Sequence, residues 1–235
     1  MNRGIFITGT DTGVGKTVFS ALLLRALLLN DYSACPFKPI ETGCRRDGEI
    51  LLPEDGEFLK EMTAKAEPIK NITPYCFEHP VAPMVAAELE GKEIEIERIK
   101  KTYKELSLKY DLIVTEGAGG LMVPIREDYY YLDLALELRL PVVVVALNRL
   151  GVINHTLLTL EVLDKYGLKV LGVVLNNLSK DPLDQSRDSN LHTLKRLIDV
   201  DIFINIPGLK QISREELDRV ALQTINVEQL LNALN

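Results

Sequence analysis

Residues 3–17 read Arg-Gly-Ile-Phe-Ile-Thr-Gly-Thr-Asp-Thr-Gly-Val-Gly-Lys-Thr. The apolar run Arg3 to Thr8 predicts a buried strand that passes directly into a glycine loop, Gly9 to Thr17, and Lys16 opens an apolar helix reaching Leu29. A phosphate-binding loop requires that order of strand, glycine loop and helix. Glycines let backbone N–H groups converge on phosphate oxygens, and the helix N-terminus adds partial positive charge. Lys16 is placed to neutralise β and γ oxygens, and the Thr17 hydroxyl can ligate Mg²⁺. Gly13, Val14, Gly15 and Val18 complete the expected nucleotide contacts, Gly13 through its backbone. Five residues separate Gly9 from Gly15, where the common signature has four, so the loop is a variant.

Outward from the loop, short β-branched runs alternate with segments of helical period. Strands are expected at Ala34 to Lys38, Leu112 to Thr115, Val142 to Leu147, Val170 to Leu175 and Ile202 to Asn205. Helices are expected at Gly56 to Lys65, Ala82 to Glu90, Ile96 to Lys109, Leu132 to Leu138, Ile153 to Lys165 and Ser189 to Ile198. Arg214 to Ala221 and Val227 to Leu234 read as two closing helices. Glu67 to Pro83 is the longest non-periodic connection, a length that points to function. The pattern is an α/β fold, a mainly parallel sheet with helices on both faces, in one domain over residues 1–235.

The net charge of -7 argues against nucleic acid or an anionic membrane as partner. Cys35, Cys44 and Cys76 are odd in number, lack CxxC spacing, and read as reduced thiols. No signal peptide is expected, and the longest apolar run, Ala21 to Leu29, is broken by Arg25, so the chain is expected to be soluble and cytoplasmic.

Six further segments bear on chemistry. Lys38, in Phe-Lys-Pro-Ile-Glu-Thr-Gly at 37–43, ends a strand at the sheet edge where open α/β folds bind ligands. Asp55, within Pro-Glu-Asp-Gly at 53–56, sits at a helix start and reads by itself as a cap. Glu116 ends the strand of Tyr110 to Gly120, and a carboxylate at a strand tip beside a phosphate loop suits a hard divalent cation. Gly117, Ala118 and Gly119 then let a ligand approach the backbone. His155, in Asn-Arg-Leu-Gly-Val-Ile-Asn-His-Thr at 148–156, reads as structural in a first helical turn rather than as a general base, and His79 and His192 have no legible partners. Asn176 and Asn177, and Ile-Pro-Gly-Leu at 206–209, follow the last two strands.

The variant loop, the Lys-Pro-Ile-x-Thr-Gly segment, the Glu-Gly-Ala-Gly-Gly run and the Leu-Gly-x-Ile-Asn-His segment together closely resemble the dethiobiotin synthetases. Partitioning-type switch ATPases, the alternative reading, carry a second lysine where this chain has Asp11. The resemblance implies a P-loop NTPase-type sheet of seven strands, a homodimer, Mg²⁺, and ATP, CO₂ and 7,8-diaminononanoate as substrates. It further implies Lys16 and Lys38 as catalytic cations, and Thr17, Asp55 and Glu116 as metal ligands, with Glu54 open as the register alternative to Asp55. By the same resemblance Thr12 and Thr42 contact the diamine, and Gly151, Val152, Ile153 and Asn154 receive its carboxylate from the neighbouring subunit. Asn176, Asn177, Pro207, Gly208 and Leu209 border the base, with Asn177 standing where the family usually has Asp.

Overall fold

A computed structural model describes residues 4–63, 67–177, 185–209 and 211–234. Strand β1 (Gly4–Gly9) leads into α1 (Lys16–Leu29), and β2 (Ala34–Phe37) follows. The next stretch holds β3 (Ile40–Thr42), a hairpin of β4 (Arg45–Asp47) and β5 (Ile50–Leu52), α2 (Glu54–Glu61), α3 (Ile69–Ile72), β6 (Tyr75–Phe77) and α4 (Pro83–Leu89). Then come α5 (Ile96–Ser107), β7 (Leu112–Gly120), the hairpin β8 (Pro124–Arg126) and β9 (Tyr129–Tyr130), and α6 (Tyr131–Leu138). The chain continues through β10 (Val142–Leu147), α7 (Val152–Lys165), β11 (Val170–Asn176), α8 (Ser186–Leu197), β12 (Ile202–Ile206), α9 (Arg214–Thr224) and α10 (Val227–Leu234).

The central sheet runs β12-β11-β10-β1-β7-β2, and all five neighbouring pairs are parallel. Alternation sorts its side chains between two cores. Ile5, Ile7, Val143 and Val145 pack with α1, α9 and α10, while Phe6, Val142 and Val144 pack with α5 and α6. Helix α1 is buried nearly all round, which matches its run of Leu and Ala. Arg25 locks it to α9 through a forked pair with Asp218 at 2.5 and 3.0 Å.

Six strands form this sheet among the described residues, rather than seven. Pairing with the main sheet ends after β2, where the Lys38 N–H donates to the Ile72 carbonyl at 2.9 Å and Pro39 has no N–H to offer. Ile40–Thr42 then leaves the main sheet to pair with Tyr75–Phe77 in a separate two-stranded ribbon. That ribbon and α3 also replace the structureless connection expected between Glu67 and Pro83. Helix α2 begins two residues before the expected Gly56, and the last two residues expected in it, 64 and 65, lie outside the described residues, as does Arg3 of the first strand. Among the described residues, no helix is long and apolar enough to cross a membrane.

Candidate active site

The loop between β1 and α1 is shaped by backbone crowding. A Cβ at Gly9 would stand 2.7 Å from the Asp11 carbonyl and 3.1 Å from Lys16 Nζ, and Gly15 caps α1 at φ 92 with no capping side chain. The first N–H groups of α1 therefore face the loop mouth as an anion site. Two strands brace the loop: Thr10 N–H donates to the Val145 carbonyl at 2.9 Å, and the buried Asn176 amide donates to the Val14 carbonyl at 2.9 Å. Lys16, 7% exposed, donates to the Asp11 carbonyl at 3.2 Å. Burial lowers its pKa to about 8, with Glu116 opposing the shift and Lys38 adding to it.

Beside the loop, Glu116 is fully buried and accepts from three donors: Thr17 Oγ1 at 2.8 Å, Ser20 Oγ at 2.6 Å and Lys38 Nζ at 2.8 Å. Lys38 also pairs with Asp55. Burial works against its charge, but the carboxylates of Glu116, Asp55 and Glu41 override it and hold the ammonium above its ordinary range. Asp55 is not the cap of α2, because the N-cap is Pro53 and the Asp55 carboxylate turns to Lys38. Glu54 points outward to Arg45 at 3.1 Å on the exposed side, whereas Asp55 lines the cleft. Glu41 completes the cluster. It accepts the Asp55 and Gly56 N–H groups, both at 3.0 Å, and burial pushes its carboxyl up to about 7 against the pull of Lys38.

These groups line one cleft of about 480 Å³ together with Thr12, Gly13, Gly15, Thr42, Ala118 and Gly119. Pro80, Val81, Ala82, Pro83 and Val123 supply its apolar wall. The donor set fits a hard cation: a hydroxyl and two carboxylates gather at the loop mouth, and Mg²⁺ characteristically takes one or two carboxylates and completes its shell with phosphate and water.

A family profile described as an AAA domain matches residues 3–216. The ATP-dependent dethiobiotin synthetase BioD of Thermodesulfovibrio yellowstonii is 38% identical over 239 residues, which span 99% of this chain and 100% of that protein. Its counterpart in Bacillus subtilis strain 168 is 36% identical, over 98% of both chains. That of Anaeromyxobacter sp. strain K is 42% identical over 90% of this chain and 93% of its own. The chain belongs to the dethiobiotin synthetase family. Beyond the synthetases, the septum site-determining protein MinD complexed with Mg-ADP from Pyrococcus horikoshii matches 100% of this chain and 93% of its own at TM-score 0.54 and 19% identity. A ParA family ATPase from Chlorobium tepidum matches 100% and 97% at TM-score 0.51 and 14% identity. Those likenesses concern the fold.

Not every residue singled out in the synthetase motifs faces the cleft. Val14 is in the core and Val18 packs against it, so their side chains do not line the cleft. Gly117 lies over the Phe6 and Tyr131 rings. Gly151 to Asn154 stand at the start of α7 beyond the cleft, with Gly151 as N-cap and the Val152 side chain buried among Ala146, Leu175 and Leu194. Asn177 is engaged by neighbouring strands, accepting from Asn148 at 2.6 Å and donating to Asn205 at 2.8 Å and to the Ile206 carbonyl at 2.7 Å. Pro207 to Leu209 follow directly. Of the histidines, His79 pairs with Glu90 at 3.1 Å.

Sequence reading missed Glu41 and Ser20, whereas the Pro80–Pro83 wall lies in the Glu67 to Pro83 connection whose length pointed to function. Ser20 had a usable signal, since it lies one helical turn from Thr17 on the same face of α1.

Proposed function

We propose that the chain closes 7,8-diaminononanoate and CO₂ into dethiobiotin with consumption of ATP, the activity its relatives are named for. The observation that carries this reading is the convergence of Lys16 and Lys38 with Thr17, Asp55 and Glu116 at the mouth of the phosphate loop.

An uncharged amine of the substrate takes up CO₂ and gives up a proton to form a carbamate. The carbamate oxygen attacks the γ-phosphorus of ATP as the bond to ADP breaks, giving a carbamic-phosphoric anhydride. The second amine attacks the carbamate carbon and expels phosphate, closing the urea ring. Phosphoryl transfer of this kind needs charge neutralisation and in-line placement more than covalent help. Lys16 stands by the β and γ oxygens, and Lys38 supplies a fixed cation that its carboxylates keep protonated. Thr17, Asp55 and Glu116 would hold Mg²⁺, which when bound neutralises phosphate oxygens. Thr12 and Thr42 hold the diamine, and Gly117, Ala118 and Gly119 let the diamine or a phosphate approach the backbone. Asn176, Asn177, Pro207, Gly208 and Leu209 border the adenine. The start of α7, from Gly151 to Asn154, where the Val152 N–H already donates to the Arg149 carbonyl at 3.1 Å, offers its other first-turn N–H groups to the substrate carboxylate of a second copy, so the working unit is a homodimer with shared sites. The cytoplasm is its proposed location.

A partitioning-type switch would hydrolyse ATP for a protein partner. Asp11 speaks against it: an acid occupies the place of that group's second lysine, accepting the Thr12 N–H at 2.7 Å and facing Arg149 at 3.4 Å. The discriminating experiment is phosphate release from Mg-ATP with and without diamine. The synthetase releases phosphate when diamine and bicarbonate are both present; brisk hydrolysis without them would favour the switch.

A further inference from the structure

Helix α2 starts without a capping side chain of its own, because its N-cap is Pro53. Its first N–H groups are met instead from another element. Glu41, on β3 and 5% exposed, sends one carboxylate oxygen to the Asp55 N–H and the other to the Gly56 N–H, each at 3.0 Å. The same short segment supplies Lys38, which takes the Asp55 carboxylate. Asp55 is thus gripped twice by residues 38–41, at its side chain and at its backbone. The grip has no slack on the opposite side: a Cβ at Gly56 would stand 2.3 Å from Thr73 Oγ1. Orientation matters here, since the neighbouring Glu54 points outward to Arg45, and turning the helix start would exchange one acid for the other.

We propose that Glu41 is a positioning residue which fixes the first turn of α2 so that Asp55 is presented to the divalent cation. This rests on the reading of Asp55 as a metal ligand. Partners that orient ligands in this way change metal affinity by roughly 10- to 100-fold when removed. A carboxylate is well suited to the task, because its two oxygens accept two adjacent helix N–H groups at once and its charge favours the positive end of the helix.

The test is calorimetric binding of the β,γ-imido analogue of ATP, with and without Mg²⁺, to the wild type and to Glu41→Ala, Glu41→Gln and Asp55→Ala. The readout is the gain in affinity that the metal confers. The wild type shows the full gain and Asp55→Ala loses most of it. Glu41→Ala loses about tenfold of it, with metal-free binding unchanged. Glu41→Gln keeps one acceptor and falls between; it also decides the matter should the alanine variant fail to fold. A full metal gain in both Glu41 variants, alongside its loss in Asp55→Ala, would overturn the positioning role. Equal weakening with and without Mg²⁺ would also overturn it, marking Glu41 as a general packing residue. Retention of the gain in Asp55→Ala would overturn the metal reading beneath it.

Discussion

Lys38 Nζ lies 2.8 Å from Glu116 Oε1, an ammonium 5% exposed against a fully buried carboxylate. Lys16, of similar burial, donates to a backbone carbonyl and has its pKa lowered to about 8 by burial. The two lysines therefore act on stability with opposite signs. Lys38→Met leaves Glu116 and Asp55 without their cation and should cost about 3 kcal/mol. Lys16→Met removes a charge that the fold holds unfavourably. Below about pH 8 native and unfolded chains both keep the Lys16 proton and the native state bears the cost; between 8 and the ordinary lysine value of 10.5 the native state sheds it first. Lys16→Met should thus raise the melting temperature below pH 8, with the advantage fading as pH rises toward 10.5. Both variants should lose at least about two decades of turnover. Melting curves at pH 7 and 10, beside steady-state rates, check both statements.

The proposed cross-subunit site makes a geometric prediction about Asn154. Asn154→Asp sets a negative charge near the incoming substrate carboxylate, and like charges about 4 Å apart cost roughly 4 kcal/mol at an effective dielectric near 20. Diamine binding should weaken by about three decades, with nucleotide binding little changed. Mixed with Lys16→Ala, heterodimers collect both defects in one site and leave the other intact. Equal mixing should recover on the order of a quarter of wild-type activity. No recovery, with subunit exchange verified by mass spectrometry, would place each site within one subunit.

Acid should loosen the apolar wall of the cleft. Burial raises the Glu90 pKa, but Lys92 at 2.7 Å, His79 and the N–H groups of His79 and Glu78 outweigh it and bring it down to about 2. A depressed carboxyl stabilises the fold above its unfolded pKa of 4.5 and loses that contribution as pH falls to about 2. Glu90→Gln should lower the urea midpoint at pH 7, and the gap to wild type should narrow at pH 3. A gap that is constant with pH would show that the carboxylate charge contributes nothing.

Thiol chemistry should be selective. Burial pushes Cys35 up to about 12, and the buried Cys44 is raised by the hydrogen bond it shares with Cys76. Cys76, half-buried, is lowered by the same bond. Limited alkylation with iodoacetamide at neutral pH, mapped by peptide mass, should label Cys76 first. Faster labelling of Cys35 would contradict this order.

The sheet was legible because each central strand is a continuous β-branched run that both faces bury, and the phosphate loop because its residues are consecutive. The meeting of Lys38 and Glu116 followed from strand ends at one edge of a parallel sheet. What escaped was short or remote. Three-residue β3 is too brief for alternation to declare which way Glu41 faces, and four-residue α3 completes barely one turn. The capping of α2 by Glu41 joins residues 14 apart across a hairpin. Asp55 looked like a cap because acids favour helix starts, and the rival that won was a buried lysine in need of a second carboxylate.

The central claim is that the cleft carries carbon dioxide into a cyclic urea at the expense of ATP. The direct measurement is incubation of the protein with Mg-ATP, ¹³C-bicarbonate and 7,8-diaminononanoate, followed by mass spectrometry and quantitation of phosphate. Dethiobiotin carrying the heavy carbon, formed in step with an equal amount of phosphate and absent when any one reactant is withheld, is the predicted result. Phosphate release without a labelled urea, or a stable phosphorylated diamine in its place, would contradict it.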